Sequence, residues 1–347
     1  MKKQEKIVFA FRKWNLRLDQ NFSRKNQKKI FWIMMVPSYD NLGDQAITEH
    51  TIKFLKKNFP EYGIREVSEL TKDWQYRYLK NKMKSNDIII LPGGGNFGDI
   101  WPVTEEIRQK IVTIFMGKKI ISFPQSYSFS DKKSDILRDA NSIYTRAVDF
   151  FSFRDSISYK KFEEHFLNKS ILTPDIVMDS FSQYIDSNID KKFDILTILR
   201  DDQERAANSN RIKSIIKIAS QRWNISNTDT KPLNTSFVNR RNRSFLLDEK
   251  SKQIKQAKLV ITDRLHGLIL ARAQGIPVIL FNNADGKIVN LYNTWLKDDE
   301  GILIGDQFDT SQIYDWAKRN MGKTIAPINM EANFTDLIRN IEKVFHD

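Results

Sequence analysis

An arginine and a histidine two residues apart follow an apolar run in the second half of the chain. Arg264 and His266 belong to the stretch TDRLHG (262–267), which lies between the apolar residues 259–261 and a helix-like run that begins at Leu268. A strand, a tight loop and a helix in this order form part of a βαβ unit, and ligands of such sheets bind at the carboxyl ends of the strands. Both side chains are therefore expected at a helix N-terminus, where backbone N–H groups favour an anion. The arginine suits a carboxylate or a phosphate, and the histidine suits proton transfer near neutral pH.

Two loops in the first half of the chain follow predicted strands in the same way. The loop 38–44 precedes a helix predicted at 45–57, and Asp44 is expected to be the N-cap of that helix. The loop PGGGNFGD (92–99) contains consecutive glycines, which let the backbone approach a ligand and direct several N–H groups to one point. It matches neither a Walker A loop nor a GxGxxG fingerprint, so a tight turn without substrate contact is the alternative interpretation.

Arg154 occupies a further strand-to-helix corner. It follows the predicted strand 150–153 and precedes a helix predicted at 156–166. An ion pair with the adjacent Asp155, or an interaction that caps the helix, is the structural alternative to a role in ligand binding.

Strand-length apolar runs alternate with longer amphipathic runs through both halves of the chain, which predicts an α/β fold of two βα-rich lobes. The polar, weakly patterned segment 180–192 is the candidate linker, and 174–179 is the last predicted strand before it. The predicted domains are accordingly a basic arm at 1–29, a first domain at 30–185 and a second domain at 186–347.

The composition excludes several classes of protein. The 347 residues include no cysteine, so neither a disulfide framework nor thiolate chemistry is expected, and a reducing compartment is indicated. We recognise no apolar run of transmembrane length and no signal peptide. We therefore expect a cytoplasmic protein.

The net charge of +13 is concentrated at the start of the chain. Residues 1–29 carry ten Lys and Arg against two acidic residues, and apolar side chains recur among them at helical spacing: Ile7, Phe11, Trp14 and Leu18. This pattern predicts an interfacial helix on an anionic membrane surface, at the inner face of the membrane. A solubilising or packing extension is the alternative. No RNA-binding or helix-turn-helix signature is present, so no nucleic-acid partner is expected.

Six short motifs occur along the chain in a fixed order. They are NLGD (41–44), LPGGGN (91–96), FPQS (123–126), FRD (153–155), PD (174–175) and DRLHG (263–267). Together they resemble the polysaccharide pyruvyl transferase family, over roughly residues 30–300. The segment 282–287, followed by Tyr292 and Trp295, resembles the exopolysaccharide branch of that family. The basic arm is not part of the shared pattern.

The resemblance implies a fold and a reaction. The fold would be two Rossmann-like lobes that face a cleft in a GT-B-type arrangement. The reaction would move the enolpyruvyl unit of phosphoenolpyruvate onto a sugar of a polysaccharide or of its lipid-linked precursor, form a pyruvate ketal and release phosphate. Phosphoenolpyruvate would be the donor, and neither a metal nor a nucleotide cofactor is expected.

The resemblance also assigns residues to the donor. The family's phosphoenolpyruvate-binding arginine maps onto Arg154. Its Arg-Leu-His signature maps onto Arg264, Leu265 and His266. The two arginines and Lys287 would neutralise the carboxylate and the phosphate of the donor, and the backbone N–H of Leu265 would add a hydrogen-bond donor.

His266 is predicted to be the acid that protonates the methylene carbon and assists the departure of phosphate. The alternative is a buried histidine with a purely structural role, hydrogen-bonded within the core. Asp44 or Asp40 is predicted to be the base for the sugar hydroxyl, although loop aspartates are also typical caps and turn residues. The remaining predicted substrate-binding residues would line the acceptor side or the cleft: Asn41, Gly94, Gly95 and Asn96.

Two other functions fit the same lobes. One is a GT-B glycosyltransferase that uses a nucleotide sugar, although the second half offers no convincing carboxylate for a ribose. The other is a non-catalytic member of a polysaccharide-synthesis complex, against which the joint presence of Arg154, Arg264 and His266 argues.

Overall fold

A computed structural model describes residues 28–130, 135–184, 189–200, 209–232, 235, 237–283 and 286–346. The predicted arm at 1–29 lies outside these ranges except for its last two residues, so its interfacial helix stays a prediction. In the described part of the chain, no helix combines the length and the apolar character needed to cross a membrane.

The first lobe is built on a parallel sheet. Its strands are β1 (Ile30–Val36), β2 (Gly63–Ser68), β3 (Ile88–Leu91), β4 (Gly94–Phe97), β5 (Lys119–Tyr127), β6 (Phe150–Phe153) and β7 (Ser170–Leu172). They follow the order β2-β1-β3-β5-β6-β7, with β4 beside β5. The helices are α1 (Leu42–Asn58), α2 (Asp73–Lys82), α3 (Pro102–Phe115), α4 (Asp135–Ala147) and α5 (Ser156–His165). The strands at the centre, such as β3, are apolar throughout because helices cover both faces of the sheet.

The second lobe repeats this plan. Its strands are β8 (Phe193–Ile198), β9 (Ile225–Thr228), β10 (Ala257–Thr262), β11 (Val278–Leu280) and β12 (Ile302–Ile304), in the parallel order β12-β11-β10-β8-β9. The helices are α6 (Ser209–Ala219), α7 (Arg243–Lys255), α8 (Leu265–Arg272), α9 (Lys287–Leu291), α10 (Thr310–Asn320) and α11 (Thr335–His346). A π-helical turn, Tyr292–Leu296, continues α9. The predicted α/β fold with two βα-rich lobes is confirmed.

Two predicted elements are wrong. The predicted strand 174–179 is instead a 3-10 helix, Ile176–Gln183, because Asp175 caps it by accepting a hydrogen bond from the Val177 N–H at 3.0 Å. The predicted loop 92–99 contains strand β4, which pairs with the end of β5.

The predicted N-cap of the first helix is also wrong. Helix α1 begins at Leu42, and Asn41 is its N-cap, with Oδ1 accepting from the Gly43 N–H at 2.9 Å. Asp44 lies in the first turn instead, where its charge suits the helix dipole.

The two lobes pack directly on each other. The Leu42 N–H donates to the Thr230 carbonyl at 2.8 Å, and the Trp295 indole donates to the Arg154 carbonyl at 2.9 Å. The buried Arg243 of the second lobe donates to Gln45 of the first at 2.8 Å. These hydrogen bonds connect the two lobes.

The end of the chain returns to the first lobe. Helix α11 places Phe345 against Tyr62, with ring centroids 4.8 Å apart, and against Phe31 at 6.2 Å. Lys119 Nζ donates to the Val344 carbonyl at 2.6 Å. The sheets fall on either side of the predicted boundary at residue 185, whereas the last helix of the predicted second domain packs on the first.

Candidate active site

A cavity of about 390 Å³ opens between the lobes. Loops at the carboxyl ends of strands in both sheets supply its walls, as expected for α/β folds, and the volume suits a small-molecule ligand. The lining residues are Tyr39, Asn41, Asp44, Gly95, Asn96, Trp101, Thr104, Arg154, Arg200, Thr230, Arg264, Leu265, His266, Asn283 and Lys287. Every residue predicted from sequence to bind or transform substrate lines the cavity except Gly94 and Asp40. Gly94 lies in β4 with a φ of +121°, a backbone conformation that favours glycine.

Arg154 reaches the cavity from the end of β6. Its Nη1 donates to Asp175 Oδ2 at 2.8 Å and its Nε donates to Ser126 Oγ at 2.8 Å, with the side chain only 3% exposed. Neither structural alternative for Arg154 is correct, because Asp155 is itself the N-cap of α5 and accepts from the Ser158 N–H at 2.8 Å. Burial alone would raise the pKa of Asp175, but the neighbouring His266 and Arg154 lower it below its usual value.

His266 lies in the first turn of α8, close to the backbone of α1. A Cβ on Gly43 would come within 2.5 Å of His266 Nδ1, so only glycine allows this approach. His266 Nε2 lies 3.8 Å from Asp175 Oδ2, too far for a hydrogen bond, and has no other partner among the described residues. Burial lowers the pKa of His266, and the nearby Asp175 opposes that shift only in part. The lowered pKa favours the neutral form of the imidazole at pH 7.

His50 is a second histidine in this region that the sequence did not single out. It lies on α1, seven residues after Gly43 and thus on the same helix face. Burial lowers the pKa of His50 to about 4, helped by Lys53, and Asp175 and His266 lie close enough to influence it. Its Nδ1 is buried with no hydrogen-bond partner within the described ranges. A polar residue on a helix face gives no sequence signal that distinguishes it from a packed core histidine.

Arg264 approaches from the other side of the cavity. It is the N-cap residue of α8, and its backbone N–H donates to Thr262 Oγ1 at 3.0 Å. Its Nη2 pairs with Asp229 Oδ1 at 2.5 Å, and its Nε is buried without an acceptor in the part of the chain that the structure describes. Arg200 follows β8 and is held by its N–H, which donates to Asp263 Oδ1 at 2.8 Å. Asp229 and Arg200 had no role in the sequence prediction.

Lys287 connects the second lobe to the glycine-rich segment of the first. Its Nζ donates to the Gly95 carbonyl at 3.0 Å. A Cβ on Gly95 would lie 3.1 Å from Arg154 Nη2 and 3.6 Å from Lys287 Nζ, so the glycine lets both cations come close to the backbone. Asn96 is fixed by Arg108, whose guanidinium donates to the Asn96 carbonyl at 3.2 Å and to its side chain at 2.6 Å.

Asp44 is the carboxylate of the cavity wall. Its Oδ2 accepts from the Tyr39 hydroxyl at 3.0 Å and from Asn41 Nδ2 at 2.9 Å. Burial raises the pKa of Tyr39 well above its usual value, and the Asp44 and Glu69 carboxylates add to that shift. Asp40, the other predicted base, does not line the cavity and lies 3.9 Å from Lys231 Nζ.

A protein-family model matches most of the chain, including both lobes. Residues 41–285 match the model of the family described as polysaccharide pyruvyl transferase, and these limits include Asn41, Asp44, Arg154 and the stretch 263–267. The chain belongs to the polysaccharide pyruvyl transferase family.

Curated proteins give a consistent result. This pyruvyl transferase family member is 29% identical to General stress protein 30 of Bacillus subtilis (strain 168) over 318 residues, which cover 90% of this chain and 91% of that protein. It is 28% identical to Pyruvyl transferase 1 of Schizosaccharomyces pombe over 283 residues, which cover 75% of this chain and 68% of that protein.

A solved structure supports the arrangement of the lobes. The UDP-GlcNAc 2-epimerase from Neisseria meningitidis bound to UDP-GlcNAc matches with a TM-score of 0.51 and 12% identity, covering 91% of this chain and 100% of that one. At this identity the likeness concerns the fold alone. The predicted GT-B-type arrangement is confirmed.

The charged side chains of the cavity indicate which kind of ligand this family member binds. Among the residues that the structure describes, four cationic side chains line it, Arg154, Arg200, Arg264 and Lys287, together with one carboxylate, Asp44. Such a balance favours a small, multiply charged anion. Within the described ranges, no group of three or more His, Asp and Glu side chains is arranged to hold a metal ion.

Proposed function

We propose that this protein transfers the enolpyruvyl unit of phosphoenolpyruvate to a sugar, closes a pyruvate ketal across two hydroxyls and releases phosphate. The observation that carries the proposal is the cavity itself, which places four cations around a neutral histidine in a member of the polysaccharide pyruvyl transferase family. A three-carbon donor with a carboxylate and a phosphate matches that charge and size.

Phosphoenolpyruvate would be held by side chains and a backbone group that line the cavity. Arg264 Nε is buried without an acceptor among the described residues. A hydrogen bond from a guanidinium to an anionic ligand stabilises the complex more than a hydrogen bond between neutral groups. Leu265 is the first residue of α8, so its N–H has no acceptor within that helix. Arg154 Nη2 and Lys287 Nζ, both beside Gly95, would complete the anion site.

His266 would begin the reaction. The phosphate of a bound donor, beside the imidazole, would raise the pKa of His266 and let it take up a proton. That proton would be transferred to the methylene carbon, which becomes a methyl group while the C2=C3 electrons form the new C–H bond. The resulting oxocarbenium character at C2 would be stabilised by the adjacent oxygen.

The sugar would then bond to C2 twice. A first hydroxyl oxygen attacks C2 and gives its proton to Asp44. The bond from C2 to the phosphate oxygen breaks, with the electron pair leaving on phosphate. A second hydroxyl attacks C2 to close the ketal, and its proton leaves with phosphate. Asp44 then releases its proton to solvent, which replaces the proton that His266 took up, so the net change converts one donor and one diol into one ketal and one phosphate.

The test is phosphate release from phosphoenolpyruvate with a panel of acceptors that contain galactose, glucose, mannose or an N-acetylhexosamine. We expect release that depends on the acceptor and falls by about 100-fold or more in His266→Ala and Arg264→Ala. His165→Ala and Arg339→Ala, which change a histidine and an arginine outside the cavity, are the matched controls.

Two other results would replace the proposal. Thermal stabilisation by a nucleotide sugar, without phosphate release, would support a glycosyltransferase. Absence of both release and phosphoenolpyruvate binding would support a non-catalytic member of a polysaccharide-synthesis complex.

We further propose that the acceptor is a lipid-linked oligosaccharide at the inner face of the membrane and that the basic arm contacts anionic lipid. The support is the charge and spacing within residues 1–29. The test is a variant that lacks residues 1–27. It keeps Lys29, because Lys29 Nζ lies 5.3 Å from the Tyr62 ring centroid and contacts the first lobe. Undiminished binding of the shortened protein to anionic liposomes would contradict the proposal.

A further inference from the structure

The walls of the cavity differ in charge. Three of its four cations come from the second lobe, and the fourth, Arg154, lies beside Gly95 with Lys287. Apart from Arg154 and Asp44, the described residues of the first-lobe wall are uncharged: Tyr39, Asn41, Gly95, Asn96, Trp101 and Thr104. An anionic donor and an uncharged polyol would therefore occupy different parts of the cavity.

Trp101 is the large apolar side chain of the uncharged wall. It is 38% exposed, and its neighbours Ile100 and Val103 are 41% and 67% exposed. Large apolar groups gathered at the edge of a polar cavity are a sign of ligand contact, because exposing them to water has a free-energy cost that burial would remove.

The segment that carries Trp101 is anchored. Asp99 accepts hydrogen bonds from the Ser130 N–H at 2.8 Å and from Ser130 Oγ at 2.7 Å. Gly98, with a φ of +142°, packs so closely on the Ser128 backbone that a Cβ would overlap it. Pro102 then starts α3 with a preset φ angle. These contacts fix the backbone on both sides of Trp101, whose side chain is partly exposed.

We propose that Trp101 is the platform on which a pyranose ring of the acceptor stacks, with Asn41, Asn96 and Thr104 contacting the sugar hydroxyls. One face of a pyranose presents C–H groups and its rim presents hydroxyls, which suits an indole flanked by amides and a hydroxyl. The stacked ring would bring its reacting hydroxyls to Asp44. This inference rests on the proposed transfer to a sugar, and it assigns the part of the cavity that the sugar occupies.

Binding of glycosides to the protein, measured without the transfer reaction, tests whether a sugar stacks on Trp101. The probes are the p-nitrophenyl glycosides of galactose, glucose, mannose and N-acetylglucosamine, whose aryl group quenches tryptophan fluorescence, with p-nitrophenol as the control for that group. We expect quenching by at least one glycoside that is lost in Trp101→Phe and retained in Trp74→Phe. Trp74 is the matched control, since it is 65% exposed on the same lobe and does not line the cavity.

Kinetics provide the second readout. Trp101→Ala is expected to raise the acceptor KM by about tenfold or more and to leave the KM for phosphoenolpyruvate unchanged, because stacking contributes only to acceptor binding. Trp101→Phe should keep most of the acceptor affinity, and Trp74→Ala should match the wild type.

The outcomes separate this inference from the proposed function. Equal quenching in Trp101→Phe and wild type, or no glycoside quenching in the wild type, overturns the platform. Glycoside quenching that depends on Trp101, without phosphate release from phosphoenolpyruvate, keeps the platform and overturns the transfer reaction. A raised KM for phosphoenolpyruvate in Trp101→Ala would place the indole on the donor instead.

Discussion

Arg154 and Arg264 each lie in a loop between a strand and a helix, one in each lobe, yet their surroundings differ. Arg154 is 3% exposed and makes close contacts with the buried Asp175 and with Ser126. Arg264 is 11% exposed, its partner Asp229 is 36% exposed, and its Nε has no acceptor among the described residues. The same residue type in the same kind of loop thus makes close, buried contacts in one lobe and has a buried Nε without an acceptor among the described residues in the other.

This difference separates two kinds of contribution to an anion site. A buried arginine that pairs with protein groups through Nε and Nη1 fixes those groups, here Asp175 and through it the electrostatic environment of His266. A partly available arginine can exchange a solvent-exposed partner for a ligand at little cost, because exposed ion pairs are weak. We therefore expect Arg154 to contribute mainly to stability and Arg264 mainly to donor binding.

The largest expected effect is on stability. Arg154→Met leaves the Asp175 carboxylate buried without its main partner, which typically costs about 3–5 kcal/mol. Urea denaturation should show this loss, whereas Arg264→Met should change the free energy of unfolding by less than about 1 kcal/mol.

The double variant Arg154→Met, Asp175→Asn is the control for this first prediction. It removes the buried charge together with its partner and should recover part of the lost stability. Equal decreases in the free energy of unfolding in Arg154→Met and Arg264→Met would show that the two arginines contribute equally to stability.

The next effect concerns donor affinity. Arg264→Ala should weaken phosphoenolpyruvate binding by about 30-fold, since it removes charge-assisted hydrogen bonds worth about 2 kcal/mol. Titration calorimetry would measure it, with Arg339→Ala as the surface control. Arg264→Lys should recover only part of the affinity, because an ammonium cannot bind bidentately. Full affinity in Arg264→Ala would place the donor elsewhere.

Local patterns and topology were enough to predict much of the site. The order of strand, loop and helix placed Arg264 and His266 at a helix N-terminus, and the rule for parallel sheets placed them at a cleft. The first helix cap was less determined. Asn41 and Asp44 are both good capping types three residues apart, and only the backbone conformation at Asn41 decides between them.

Contacts between distant segments were not predictable. Arg154 pairs with Asp175, 21 residues further on, because β7 lies parallel to β6 and the two residues follow these strands at the same edge of the sheet. The apolar residues 176–178 looked like a strand, since a short apolar run has no period that distinguishes the two. His50 likewise acquires its surroundings only when α1 packs against the 3-10 helix.

The third effect uses pH to test the buried region around Arg154. Folding lowers the pKa of His266 and lowers that of His50 from 6.5 to about 4. Below about pH 6.5 the unfolded chain therefore binds protons that the folded protein does not, and stability falls as pH decreases towards 4. Each histidine contributes at most about 1.4 kcal/mol per pH unit.

The comparison of variants isolates this contribution. Urea denaturation at pH 7.5, 6.5 and 5 should show a smaller pH dependence in His50→Gln than in the wild type, because glutamine does not titrate. The lowered pKa of Asp175 acts below its usual value of 3.8 and so lies outside this window. An identical slope in both proteins would show that His50 keeps an ordinary pKa in the fold.

The smallest effect should come from the exposed partner of Arg264. Asp229→Asn removes a partly exposed pair, so the free energy of unfolding should change by less than about 1 kcal/mol. Removing a negative charge beside the anion site should tighten phosphoenolpyruvate binding by about threefold, as measured by calorimetry. Asp336→Asn, which breaks the surface pair with Arg339, is the matched control and should change neither quantity. Weaker binding in Asp229→Asn would mean that the carboxylate orients Arg264 for the donor rather than competing with it, and the second lobe would then resemble the first, where a carboxylate fixes its arginine.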